Sequence, residues 1–159
     1  MIKIKEIIST VTTIFVLSLV INYIRSPETY ETIPDGVKFE TLDGEVIDFK
    51  SLKGKPTVIH FWATWCPVCR FESSNLNPLS GEENINLITI AVKSKNLRDF
   101  IEQNGLKYRV VDDSYGNLAD KFNIEIFPTT LIYDSDGILR FSEVGYTTTV
   151  GLKTRLSML

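Results

Sequence analysis

Apolar residues along this chain fall into three regimes, and each predicts a different kind of element. The first is continuous. From Ile7 to Ile24 no charge interrupts a stretch rich in Ile, Val and Leu, with Lys3 and Lys5 ahead of it and Arg25 behind, which is just long enough for a helix to cross a bilayer. The second regime is short apolar runs or alternations bounded by turn residues, the pattern of strands. Val37 to Glu40 and Glu45 to Phe49 flank an Asp43-Gly44 turn signal, and Thr57 to Phe61 follows the break at Lys53-Gly54-Lys55-Pro56. Ile85 to Val92 and Arg109 to Val111 read as two more strands, and Thr129 to Tyr133 and Ile138 to Val144 flank the turn Asp134-Ser135-Asp136-Gly137. The third regime is helical: Pro67 to Asn77, punctuated by Pro78 and Gly81; Asn96 to Asn104, with Leu97, Phe100 and Ile101 at helical spacing and Gly105 as the stop; Asn117 to Phe122; and Thr149 to Met158. Together these predict an α/β fold, a central mixed sheet with helices on both faces and an N-terminal β-hairpin, preceded by one transmembrane helix.

The chain of 159 residues then divides into an anchor over 1–25, a tether over 26–35 and a domain over 36–159. The tether, Ser26-Pro27-Glu28-Thr29-Tyr30-Glu31-Thr32-Ile33-Pro34, is polar and bounded by proline. A cleaved signal peptide also begins with basic residues. Leu19-Val20-Ile21-Asn22-Tyr23-Ile24 offers a peptidase only bulky side chains, so an uncleaved signal-anchor is expected, with Lys3 and Lys5 on the cytoplasmic side and everything after Arg25 outside. The net charge of −3, without a phosphate loop or a Lys/Arg cluster, leaves nucleic acid out as a partner.

Candidate chemistry concentrates at the only two cysteines, Cys66 and Cys69, directly after the run Thr57-Val58-Ile59-His60-Phe61. A strand that delivers Cys-x-x-Cys to the first turn of a helix faces Cys66 with unpaired backbone N–H groups, whose positive field favours the thiolate that attacks disulfides. A zinc site needs four ligands, and Cys66, Cys69 and the single histidine supply at most three. A static disulfide closing so short a loop would add little stability. A copper(I)-binding module or copper-stress thiol protein is the alternative from another class, because two thiolates are soft ligands; no methionine cluster accompanies them.

The surroundings add specificity. Phe61-Trp62-Ala63-Thr64-Trp65-Cys66-Pro67-Val68-Cys69 resembles the active-site signature of the thioredoxin superfamily, and Ile126-Phe127-Pro128-Thr129-Thr130 resembles its second signature, a loop with a cis proline. The match is better to the membrane-anchored bacterial branch of TlpA, ResA and the cytochrome c maturation thioredoxins. Trp65 to Arg70 and Gly145-Tyr146-Thr147 are most similar to ScsD-like protein disulfide oxidoreductases. Peroxiredoxins are more distant, since their motif wants Thr or Ser where this chain has Ala63. The resemblance, over Gly36 to Leu159, implies a thioredoxin-like fold and a thiol-disulfide oxidoreductase that needs no cofactor. It also implies a bacterial cytoplasmic membrane, with the redox domain on the periplasmic side. Its partners would be cysteine-containing client proteins and a membrane electron-relay partner. The direction of electron flow stays open between reductive cytochrome c maturation and an oxidative or copper-stress role.

Roles follow residue by residue. Cys66, nearest the helix start, is expected to attack, and Cys69, one turn further in, to resolve the mixed disulfide. Pro67 suits the first helical turn, and Trp65 shields a flank. The resemblance implies a cis bond at Pro128, with Phe127 and Thr129 beside it in a loop facing the dithiol, where the Phe127 backbone can pair with an extended client. Glu72 resembles the carboxylate that ResA-type reductases keep beside their dithiol; a solvated glutamate is its plain alternative. His60 stands where typical thioredoxins bury an acid, so it is either a proton-transfer group or a satisfied core histidine.

Overall fold

The computed structural model describes residues 4–25, 31–34 and 36–159. In chain order its elements are α1 (Ile4–Arg25), β1 (Lys38–Glu40), β2 (Val46–Asp48), β3 (Thr57–Trp62), α2 (Pro67–Glu72), β4 (Asn86–Val92), α3 (Leu97–Gln103), β5 (Val110–Asp113), α4 (Asn117–Lys121), β6 (Thr129–Tyr133), β7 (Leu139–Val144) and α5 (Thr149–Leu156). Five strands form one mixed sheet in the order β5-β4-β3-β6-β7. β3, β4 and β5 are parallel, and their crossovers carry α2 and α3; β6 runs antiparallel to β3, and β7 to β6. The β6–β7 turn is fixed by Asp134, whose Oδ1 accepts the amides of Asp136 and Ile138 at 3.0 and 2.9 Å. The predicted hairpin is the separate pair β1–β2, attached to the main sheet through a Thr41–Val111 bridge.

β3 is the axis of the domain, and all of its residues are buried. Strand alternation sends Ile59 and Phe61 toward Phe39 and Phe122 on one face, and Val58 and Trp62 toward Leu76, Leu97, Leu152 and both cysteines on the other. The dithiol is therefore built into a core face. Burying a side chain such as Phe61 contributes roughly 1.5–3 kcal/mol.

Two sequence expectations are corrected. The helix predicted through Asn77 ends as an α-helix at Glu72 and continues as a 3-10 helix over Ser73–Leu79. Pro78 lacks an N–H and its ring crowds the preceding turn, while the hydroxyls of Ser73 and Ser80 donate to the carbonyls of Arg70 and Asn77. Glu31 to Pro34, assigned to the tether, already lie on the domain. Thr32 bridges to Ile138, the Leu139 amide donates to the Glu31 carbonyl at 2.7 Å, and Ile33 is buried.

The N-terminal stretch forms the helix α1, about 33 Å long at 1.5 Å per residue. Ile4, Ile7, Ile8, Val11, Ile14, Val16, Leu17 and Val20 are all exposed, and at helical spacing they point to every side. Among the described residues no helix is long and apolar enough to cross a membrane, so the expected transmembrane span finds no support in the structure. The side chains of Phe15, Ser18, Leu19 and residues 21–25 lie outside the described residues, as do residues 26–30 and 35 of the expected tether.

Candidate active site

Cys66 is the N-cap of α2, and its Sγ accepts a hydrogen bond from the Cys69 amide at 3.2 Å. Pro67 occupies the first turn, where its missing N–H costs nothing. The Cys69 amide, otherwise unpaired at the helix start, thus donates to this sulfur, a contact that stabilises the anion when the pair is reduced. Cys66 and Cys69 are joined as a disulfide, with Cα atoms 5.2 Å apart. Both are buried, Cys69 the more deeply (1% exposed against 5%), which keeps the outer and inner positions expected of them.

The second half of the site comes from the loop before β6. Because Phe61 pairs with Thr129 in the β3–β6 ladder, this loop is carried to the same end of the sheet as the cysteines. The Phe127–Pro128 bond is cis, and the Phe127 carbonyl oxygen lies 3.7 Å from Cys66 Sγ. The loop is pinned from two sides, by Thr129 Oγ1 donating to the Ile126 carbonyl at 2.7 Å and by the Gly145 amide donating to the Pro128 carbonyl at 2.8 Å. Trp65 stands edge-on to Phe127 with ring centroids 5.7 Å apart, yet is 57% exposed. Trp65, Pro67, Phe127, Pro128 and Thr129 thus gather around one disulfide.

Glu72 lies one helical turn beyond Cys69 and is wholly buried, with neither carboxylate oxygen in a hydrogen bond. Burial pushes its pKa up to about 8, and the Thr147 backbone opposes this only in part, without completing a hydrogen bond. Tyr108 flanks it; its hydroxyl donates to the Ser73 carbonyl at 2.9 Å, and burial, then the Glu72 charge, raises its pKa. His60 is treated differently. Its Nδ1 lies 2.9 Å from Thr130 Oγ1, and burial lowers its pKa to about 3, so it is neutral at working pH. That arrangement fits the satisfied core histidine. Tyr108, Thr147 and Asn75 carry no motif at the sequence level; the only signal was that Asn75 follows Glu72 by one turn and that Thr147 closes the Gly145-Tyr146-Thr147 segment. Among the described residues no group of three or more His, Cys, Asp or Glu is placed to hold a metal ion.

Comparison with known proteins agrees with this geometry. The model of the AhpC/TSA family matches residues 31–142, and the chain belongs to that family. A thioredoxin-like protein of Haemophilus influenzae is 30% identical over 162 residues, covering 97% of this chain and 95% of the relative. Sporulation thiol-disulfide oxidoreductase A of Bacillus subtilis is 27% identical over 137 residues, covering 81% and 82%. The crystal structure of StoA from Bacillus subtilis superposes with a TM-score of 0.66 at 28% identity, covering 74% of this chain and 93% of that one. The chain is a thiol-disulfide oxidoreductase with a thioredoxin-like fold.

Proposed function

We propose that this oxidoreductase works outside the bacterial cytoplasmic membrane, held there by α1, and exchanges electrons with the cysteines of client proteins through Cys66 and Cys69. The observation that carries the chemistry is the buried disulfide at the start of α2, with the Phe127 carbonyl 3.7 Å from Cys66 Sγ. In the reducing direction the Cys66 thiolate forms a bond to one client sulfur, and the client disulfide breaks, its second sulfur leaving as a thiolate that takes a proton. The Cys69 thiol gives its proton to the Glu72 carboxylate and attacks Cys66 Sγ. The Cys66–Cys69 bond forms and the first client sulfur departs. Two electrons have then passed to the client, whose second sulfur has taken its proton from solvent and whose first takes the one held by Glu72, so that the carboxylate is regenerated; a membrane electron-relay partner would restore the dithiol.

Glu72 suits the acceptor role because a carboxyl with a pKa near 8 matches a thiol better than an ordinary carboxylate does. His60, neutral and paired with Thr130, takes no proton in this scheme. Clients would lie along the Phe127–Thr129 loop and against Trp65, which is exposed beside the disulfide. Export and anchoring are supported by Lys3 and Lys5 ahead of a helix that exposes apolar residues on every side.

Cys69→Ala is expected to trap a covalent complex with a client disulfide while Cys66→Ala traps none. Equal trapping by the two variants would overturn the assignment. A reporter fused after Leu159 tests the location: alkaline phosphatase activity is expected there, and a fusion active only in the cytoplasm would refute it.

A further inference from the structure

Between β7 and α5 the chain crosses the buried Glu72 as a short strap, Gly145 to Thr148, and that strap is fastened at both edges. On one edge the Gly145 amide donates to the Pro128 carbonyl at 2.8 Å, with Gly145 at φ +96°, a backbone conformation that favours glycine. On the other edge a single residue does the fastening. Asn75 Nδ2 donates to the Tyr146 hydroxyl at 3.0 Å and to the Thr147 carbonyl at 2.9 Å, and the Asn75 carbonyl accepts the Thr149 hydroxyl at 2.7 Å. Tyr146, so held, leans on Phe71 with ring centroids 5.6 Å apart. Thr147, within the strap, is buried, and beneath it Glu72 is sealed with two unpartnered oxygens.

We propose that Asn75 is a positioning residue that holds the Gly145–Thr148 strap closed over Glu72, excludes water from its carboxyl, and so sets the pH at which Cys69 resolves the mixed disulfide. This rests on the Glu72 step proposed above. In that step the Cys69 proton passes to the carboxylate, a bond forms between Cys69 and Cys66 sulfurs, and the client thiolate leaves with the bonding pair. Water reaching the carboxylate stabilises its charge and makes it a weaker base. The other titratable groups around Glu72 do not substitute for the strap. Cys69 is the proton donor; His60, on the face of β3 that meets α2, and Tyr108 are neutral near pH 7. Arg70 points to solvent, and the charges of α5 and β7 are paired, Arg155 with Glu143 at 2.8 Å and Lys153 with Glu82 at 2.6 Å.

The test is the pH profile of the resolving step in the full chain, followed by single-turnover release of a client from its mixed disulfide with Cys66. Asn75→Ala is expected to move the midpoint of that profile down by about one pH unit, the direction of a carboxyl returned toward water. Tyr146→Phe, which removes one hydroxyl from an exposed ring, is expected to move it the same way by less, and carries the test if Asn75→Ala does not fold. The rate at which Cys66 first attacks the client should not change. An unmoved midpoint in these variants, while Glu72→Gln still abolishes the pH dependence, overturns the role of Asn75 and leaves the Glu72 step standing. A profile unaltered by Glu72→Gln overturns both.

Discussion

The middle of β3 and the underside of α2 each bury one ionisable side chain on the same face of the sheet, yet the fold treats them oppositely. His60 is given a partner, Thr130, on the neighbouring strand, and burial then simply keeps it neutral. Glu72 is given none, although an unpaired buried carboxyl is among the more costly groups a core can hold. The contrast separates two uses of burial. A polar group with its hydrogen bond made belongs to the packing, whereas one without it, next to a redox cysteine, is a feature that stability alone would not retain.

The largest expected effect tests Glu72. Its proton is bound more tightly in the folded chain than in the unfolded one, so the group favours folding only where it is protonated. Stability from this source is intact below about pH 4.5 and is lost as the pH rises toward 8. Denaturant melts of the wild type should lose on the order of 3–5 kcal/mol across that window, at about 1.4 kcal/mol per pKa unit. Glu72→Gln should flatten the slope, and in the same protein slow the resolving step about a hundredfold. A wild-type slope that persists in Glu72→Gln would assign the loss to another group.

His60 should behave as the mirror image. Its folded pKa is depressed from 6.5 to about 3, so the folded state resists the proton and stability is lost as the pH falls below 6.5. His60→Leu should remove that acid-side loss, read as a shallower fall in melting temperature between about pH 6 and 4, while leaving thiol exchange within about twofold of the wild type. A large loss of exchange rate would return His60 to the chemistry. The smallest effect is expected of Thr130→Val, which strands the imidazole nitrogen in the core. It should cost about 1–3 kcal/mol at neutral pH, with no change in the pH profile of client release. A shift in that profile would mean that the two buried groups are coupled and that the contrast between them is too sharp.

Much of this was legible in the sequence, for identifiable reasons. β3, β4 and β6 were readable because buried strands write themselves as apolar runs, and the hairpin turns because Asp43-Gly44 and Asp136-Gly137 leave few alternatives. The cysteine pair was readable from its place after a strand, and the proline loop only through the resemblance. What stayed hidden depends on contacts between distant segments. Tyr108 meets Ser73, and Asn75 meets Tyr146 and Thr147, across long sequence separations that no local spacing records. The end of α2 was missed because serine and proline chemistry beyond Glu72 tightened the next turns while the apolar spacing continued. Glu31 to Pro34 were missed because a polar, proline-bounded segment reads as a linker even when one residue, Ile33, is gripped by the core.

The pairing of Phe61 with Thr129 has a further consequence. The two halves of the reactive centre grow from adjacent strands, so their separation is fixed by one antiparallel register, and a slip by a single residue would turn every side chain of one strand to the opposite face. Insertions after β4 or β5 can accumulate over evolutionary time without parting the sulfurs from their proline. Lengthening the chain between Phe61 and Cys66, or between Phe127 and Thr129, would separate them at once, so variation among homologues should avoid these two short intervals.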